Sequence, residues 1–248
     1  MLIRFGSTPF DADLVAFDKD GTLIDFEFMW GRIAMAWVEH LVKDDQGESL
    51  RRDLYRSLGF DPDRQRTEPE SPLAIATTAQ LQTIAAATLY RHGVPWPEAE
   101  DRARLAFDTS SDLPLSGLIR ATGDVAGLFG HLRAAGVQVA VVTTDDRAAT
   151  EETVHMLGIA HLVNLLVCGD DGLPSKPAPD LLLFACEWCG VEPACTAMVG
   201  DTVGDLLMAQ RAGAGLRVAV LTGAGDPAKL AQHADAVLKS IDEIRVGL

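Results

Sequence analysis

Between residues 137 and 238 the chain carries five short apolar runs, Val137 to Val142, Leu162 to Cys168, Ala197 to Val199, Val218 to Leu221 and Ala236 to Leu238, with helical patterns between them. Short apolar runs alternating with helix-period segments are how parallel strands joined by crossover helices read, because such strands are buried on both faces. Val125, Leu128, Phe129 and Leu132 share one helical face, and Gly136 stands where a left-handed stop is expected. Leu181, Phe184, Ala185 and Trp188 repeat that spacing and are closed by Gly190. A sixth run, Leu14 to Phe17, lies about a hundred residues upstream of the others. The pattern predicts an α/β fold, a parallel sheet covered by helices.

The stretch between the first strand and the rest reads differently. Met29, Ile33, Ala36, Trp37 and Leu41 fall on one helical face and Leu81, Ile84, Ala85 and Leu89 on another, with Gly93, Pro95 and Pro97 marking a break. Residues 43–70 hold 14 charged side chains of mixed sign in 28, which predicts a solvated helix and loop rather than core. Between Asp25 and Ser111 no strand is expected. The expected organisation is a core of residues 1–24 and 112–248 with a helical cap, residues 25–111, inserted after the first strand.

Charge narrows the partners. With 36 acidic against 21 basic residues the net charge is −15, which argues against nucleic acid or an anionic membrane as partner, since both are bound mainly through Lys and Arg. No uninterrupted apolar stretch reaches the roughly 18 residues of a membrane span, and the opening MLIRFGSTPF lacks a signal-peptide core, so a cytoplasmic protein is expected. The four cysteines, Cys168, Cys186, Cys189 and Cys195, make no disulfide framework. Cys186 and Cys189 form a CxxC on a predicted helix with no second ligand pair, and buried thiols are expected there.

Four polar motifs each follow a predicted strand. The first strand runs into Asp18-Lys19-Asp20-Gly21-Thr22, two carboxylates where open α/β sheets keep their ligands, with Gly21 allowing a sharp turn. Residues two apart on a strand point the same way, so Lys19 should point away from the pair and have a structural role; a helix cap or turn is the plainer reading of this motif. The second strand ends in Thr143-Thr144-Asp145-Asp146, able either to hold phosphate oxygens or to cap the next helix. Lys176 sits among prolines in Ser175-Lys176-Pro177-Ala178-Pro179, as an anion anchor or a solvent lysine. After the fourth strand, Gly200-Asp201-Thr202-Val203-Gly204-Asp205 offers carboxylates for a hard cation; N-capping accounts for Asp201 but not for Asp205.

Taken in order, these motifs resemble the haloacid dehalogenase-like superfamily of phosphohydrolases: DxDGT at Asp18 to Thr22, Thr143 after a hydrophobic strand, Lys176 in SKPAPD, and GDxxxD from Gly200 to Asp205. The resemblance spans nearly the whole chain and implies a Rossmann-like parallel sheet in the order 5-4-1-2-3, with the insertion as the family's helical cap. It implies Asp18 as nucleophile and Asp20 as acid and then base. Mg²⁺ would be held by the carboxylates of Asp18 and Asp201 and the backbone carbonyl of Asp20, with Asp205 a ligand or the partner of one. Thr143, Thr144, Gly21 and Lys176 would hold the phosphate.

The implied activity is Mg²⁺-dependent hydrolysis of a small phosphorylated metabolite, phosphoglycolate or a sugar phosphate, through an aspartyl phosphate. A phosphosugar mutase is the alternative, and a non-catalytic binder of phosphorylated metabolites a further one. Asp20 argues against dehalogenation. Lys43 is the only lysine between residues 22 and 110 and lies in a polar segment, which argues against a Schiff-base phosphonatase. In the insertion, Phe26, Glu27, Phe28, Met29 and Trp30 could line a pocket, although packing is the expected role, and Arg32, Arg51, Arg52 and Arg56 are candidate anion anchors. His40 is expected to be a partnered core histidine.

Overall fold

A computed structural model describes residues 1–42, 47–111 and 117–247, so Lys43 and the expected domain boundary at residue 112 lie outside the described residues. The chain divides into two compact units, one made of Met1–Phe26 and the chain from Ile119 onward, the other of Glu27–Leu118. The joints fall at 26/27 and 118/119, a few residues beyond those read from the sequence.

The first unit opens with strands β1 (Leu2–Phe5), β2 (Thr8–Asp11) and β3 (Leu14–Phe17). From the second unit onward come α1 (Phe26–Leu41), α2 (Gly47–Leu58), β4 (Phe60–Asp61), β5 (Arg66–Thr67), α3 (Pro72–Ile75), α4 (Thr78–Arg91) and α5 (Trp96–Ser111). The first unit resumes with α6 (Val125–Ala134), β6 (Gln138–Val142), α7 (Arg147–Met156), β7 (Leu165–Val167), α8 (Asp180–Cys189), β8 (Thr196–Gly200), α9 (Val203–Ala212) and β9 (Leu216–Val220). It ends with α10 (Pro227–His233), β10 (Ala236–Leu238) and β11 (Ile244–Val246).

Six strands form the main sheet in the order β10-β9-β8-β3-β6-β7, all parallel. Counted along the chain this is 6-5-4-1-2-3, so the expected order is present with one further strand at its edge. β3 lies at the centre, and its register sets Phe17 beside Val141 on one side and Val199 on the other. All four β3 residues are buried because helices cover both faces, which is why the run carries no polar alternation. Val15 and Phe17 face a layer with Val125, Leu128, Phe129 and Leu132 of α6, whereas Leu14 and Ala16 face Leu181 and Ala185 of α8 and Met208 and Ala209 of α9.

Other expectations need correction. In α8 the buried residues are Leu181, Leu182, Ala185 and Cys186, while Phe184 is 40% and Trp188 57% exposed. The sheet selects a face one residue away from the one read, although Gly190 does close the helix in the left-handed conformation. A second sheet, β11-β1-β2, is antiparallel and was not anticipated. Its strands have three or four residues each, and β1 finds one of its partners some 240 residues away.

In the second unit, α2 is an amphipathic helix whose Leu50, Leu54, Tyr55 and Leu58 are buried, so the charged segment does contribute core. The β4–β5 pair also breaks the expectation of no strand here. Trp37 is buried with its indole N–H on the Ala103 carbonyl at 3.1 Å and its ring edge-on to Phe107. α4 begins with a capping box in which Thr77 and Gln80 satisfy each other's backbone N–H.

Candidate active site

Four strands end in polar residues at one edge of the main sheet. Asp18 extends the ladder by one residue beyond β3, donating its N–H to the Val199 carbonyl at 2.9 Å, and so emerges at the level where β6 gives way to Thr143 and β8 to Asp201. Carboxylate oxygens of Asp18, Asp201 and Asp205 lie within 4.8 Å of one another, all three residues being buried. Lys176, on the loop between β7 and α8, places Nζ 2.5 Å from Asp18 Oδ1 and 2.6 Å from Asp205 Oδ1. Arg211 of α9 donates to the Pro177 carbonyl at 2.9 Å and ties that loop down.

Each aspartate is fixed by a different device. Asp201 Oδ1 accepts from the Thr22 hydroxyl at 3.3 Å and Oδ2 from the Ala224 N–H at 3.1 Å. Asp205 belongs to a capping box at the start of α9: its Oδ2 accepts from the N–H and hydroxyl of Thr202 at 3.0 and 2.6 Å. This reverses the sequence reading. Thr202, not Asp201, is the N-cap, and capping accounts for one oxygen of Asp205 while its Oδ1 faces the Lys176 ammonium. Gly21 has φ +82°, and a β-carbon there would collide with the Asp201 carboxylate and approach Gly223 Cα to 2.8 Å, so only glycine fits this turn.

Three carboxylates against one ammonium leave the cluster with an excess of buried negative charge. Burial pushes the Asp18 carboxyl up to about 7, with Asp205 and Asp20 adding to the rise and Lys176 opposing it. Asp201 is likewise held well above the usual carboxylate range by burial and by Asp18 and Asp205. Burial pulls the Lys176 ammonium down, but Asp18 and Asp205 outweigh it and keep its affinity for the proton above the ordinary value. Three converging hard oxygen donors with surplus charge are a fit for a small divalent cation, which would supply the missing positive charge.

Asp20 stands apart from this trio. Its Oδ1 accepts from Lys19 Nζ at 2.8 Å, and the same Nζ lies 2.8 Å from Asp145 Oδ2. Lys19 therefore does not point away from the pair: its buried ammonium folds back to the Asp20 carboxylate. Thr143 is buried and its hydroxyl accepts from the Asp145 N–H at 3.1 Å, whereas Thr144 is exposed. Sequence reasoning missed the loop after β9. There the Thr222 hydroxyl donates to the Gly21 carbonyl at 2.5 Å and the Ala224 N–H holds Asp201; the glycine-rich Thr222-Gly223-Ala224-Gly225 directly after a strand was the available signal.

Among the other candidates, Phe26 and Met29 are buried, and Phe28 and Trp30 are half-buried. The Arg32 guanidinium stacks over Phe28 at 3.9 Å and donates to the Gly117 carbonyl. Arg51 makes two 2.9 Å bonds to Glu39, while Arg52 and Arg56 are exposed on α2. His40 is exposed, its Nδ1 2.7 Å from the Ala36 carbonyl one helical turn back, so it is no core residue. All four cysteines are free; Cys168 and Cys186 are buried, and Cys189 and Cys195 are half-buried.

A family model for haloacid dehalogenase-like hydrolases matches residues 12–213. The chain is 29% identical over 243 residues to a phosphoglycolate phosphatase of Neisseria meningitidis, covering 93% of this chain and 91% of that protein. Among solved structures it resembles a hydrolase of the same family from Deinococcus radiodurans R1, crystallised with phosphate and sodium, at a TM-score of 0.64 and 24% identity over 94% of this chain and 93% of that one. It also resembles a haloacid dehalogenase-like family protein from Streptococcus pneumoniae, at a TM-score of 0.61 and 16% identity over 94% and 96% of the two chains.

Proposed function

The chain belongs to the haloacid dehalogenase-like hydrolases, and from that premise we propose that it is a Mg²⁺-dependent phosphatase for a small phosphorylated metabolite of the phosphoglycolate or sugar phosphate type. The observation that carries this reading is the buried group of Asp18, Asp201, Asp205 and Lys176 at the carboxyl edge of the sheet.

In the proposed reaction an Asp18 carboxylate oxygen attacks phosphorus and the bond from phosphorus to the leaving oxygen breaks, giving an aspartyl phosphate. Asp20 gives its proton to the leaving oxygen. In the second half Asp20 takes a proton from water as that water attacks phosphorus, releasing inorganic phosphate and restoring Asp18. Lys176 neutralises charge on the transferring oxygens and Thr143 and Thr144 complete the phosphate cradle; Gly21, expected to join them, has its N–H committed to the Ile24 carbonyl at 2.8 Å and shapes the turn instead. The Asp18 and Asp201 carboxylates and the Asp20 carbonyl would hold Mg²⁺, with Asp205 beside them, and a bound ion would supply positive charge to offset that of the phosphoryl group. The Glu27–Leu118 unit corresponds to the family's helical cap.

Two measurements test this. A panel of phosphorylated metabolites assayed for phosphate release, with EDTA and then with magnesium restored, should show metal-dependent hydrolysis of at least one small phosphate ester. Rapid quenching with labelled substrate should leave label on the protein that hydroxylamine releases; label retention after Asp18→Asn would remove Asp18 as nucleophile. An isomerised sugar phosphate in place of free phosphate would select the mutase.

A further inference from the structure

We propose that Lys19 is a positioning residue for proton transfer, holding the Asp20 carboxylate in place by bridging it to Asp145 across the ends of β3 and β6. The inference rests on the reading of Asp20 as the acid and base above. A lysine between two site aspartates is an expensive choice if it serves only packing. Its side chain is 1% exposed, so the ammonium has lost nearly all its water, and an apolar side chain would fill the same space without that cost.

The geometry shows what the charge does there. Lys19 Nζ lies 2.8 Å from Asp20 Oδ1 and 2.8 Å from Asp145 Oδ2, one cation between two carboxylates from different strand ends. Asp145 is itself held on both sides: its N–H donates to the Thr143 hydroxyl at 3.1 Å and its Oδ1 accepts from the Asp146 N–H at 2.9 Å. The Lys19 backbone is fixed as well, its carbonyl accepting from the N–H groups of Leu23 and Ile24 at 2.8 and 3.1 Å. A linked series therefore runs from the end of β6 through Asp145 and Lys19 to Asp20. A short carboxylate on a turn has several rotamers, and this series selects one. A proton donor must lie within hydrogen-bond reach of the leaving oxygen, and an error of about 1 Å can cost on the order of 100-fold.

The test compares two aryl phosphates of similar shape. Phenyl phosphate has a poor leaving group that needs a proton; 2,4-dinitrophenyl phosphate leaves as a stable anion and needs none. The readout is the ratio of kcat/KM for the dinitrophenyl ester to kcat/KM for the phenyl ester, because kcat/KM reports phosphoryl transfer to Asp18 and not the later hydrolysis that both esters share. Lys19→Met should lower kcat/KM for phenyl phosphate by roughly 100-fold, leave that for the dinitrophenyl ester little changed, and so raise the ratio by about as much. Circular dichroism and thermal melting report whether the variant folds. If it does not, Asp145→Asn, which removes the other end of the bridge from a half-buried position, takes its place and should raise the ratio in the same sense. A loss of equal size on both esters marks a structural role and overturns the proposal. Asp20→Asn separates this inference from the one beneath it. If Asp20→Asn leaves the ratio at the native value, the acid assignment fails; if it raises the ratio and the bridge variant does not, only the role of Lys19 fails.

Discussion

In the helical unit, charges pair near the surface: Arg51 takes both oxygens of Glu39 at 2.9 Å, Arg102 reaches Glu98 at 3.8 Å, and Arg104 lies between Asp101 and Asp108 at 3.4 and 3.7 Å. At the carboxyl edge of the six-stranded sheet they are buried and unequal in number, three carboxylates on one ammonium. Exposed pairs of the first kind contribute little to stability because water already solvates both partners. A buried surplus of one sign opposes folding and is characteristic of sites where a ligand or a reaction uses it. The contrast assigns stability to the apolar faces of the helices and, under the proposed function, chemistry to the sheet edge.

The contrast breaks most easily at Asp18. Asp18→Asn should lower kcat by roughly 10⁴-fold while the thermal midpoint of the metal-free protein holds or rises, since the variant removes one of the crowded charges. A midpoint several degrees lower with activity retained would reverse the assignment. Next in size is Trp37→Ala in the helical unit, which should cost about 3–5 kcal/mol in denaturant titration because it empties a packed site and removes the indole bond to the Ala103 carbonyl. Magnesium at about 100 times its Kd should stabilise the native protein by about 2.7 kcal/mol, and Asp201→Asn should lose most of that shift. Arg51→Ala should change stability by less than about 1 kcal/mol, and the remaining difference should shrink in high salt.

Cys168 supplies the case of burial outside the charged cluster. Burial pushes its thiol up to about 11, with the Thr150 hydrogen bond and Arg147 opposing the rise, so it should stay unalkylated by iodoacetamide at pH 8 while the protein is folded. Because the unfolded thiol ionises nearer 9, the unfolded state loses its proton first as pH rises. The associated stability is present below pH 9 and is lost as pH climbs through about 11, which a Cys168→Ala comparison of melting temperature against pH reads directly.

What the sequence made legible followed from periodicity and from position in the chain. The β3, β6, β8 and β10 segments each stand as apolar runs, and a polar motif after each of four strands could be placed at one sheet edge because parallel topology sends every strand end the same way. Partners chosen by tertiary structure were not legible. The face of α8 turned on whether Leu182 or Phe184 meets the sheet, and both fit an apolar helix. β1 and β2 have four residues each, with Pro9 inside the second, too short a stretch for alternation to stand out. The return of Lys19 to Asp20 escaped because strand alternation fixes where a Cβ points, not where a four-carbon side chain ends.

The crossing between the two units has its own consequence. Asp25 donates its N–H to the Arg120 carbonyl at 2.8 Å, the Arg120 guanidinium grips the Asp25 carboxylate, and Ile24 bridges to Ala121, so the outgoing and returning chain run side by side within the first unit. A detour whose two ends already touch asks the sheet for no extra reach, and the entropy of closing it grows only with the logarithm of its length. Genetic lengthening, shortening or exchange of everything between these ends can therefore proceed without redesigning the first unit, which makes the crossing the natural place to graft a foreign insert.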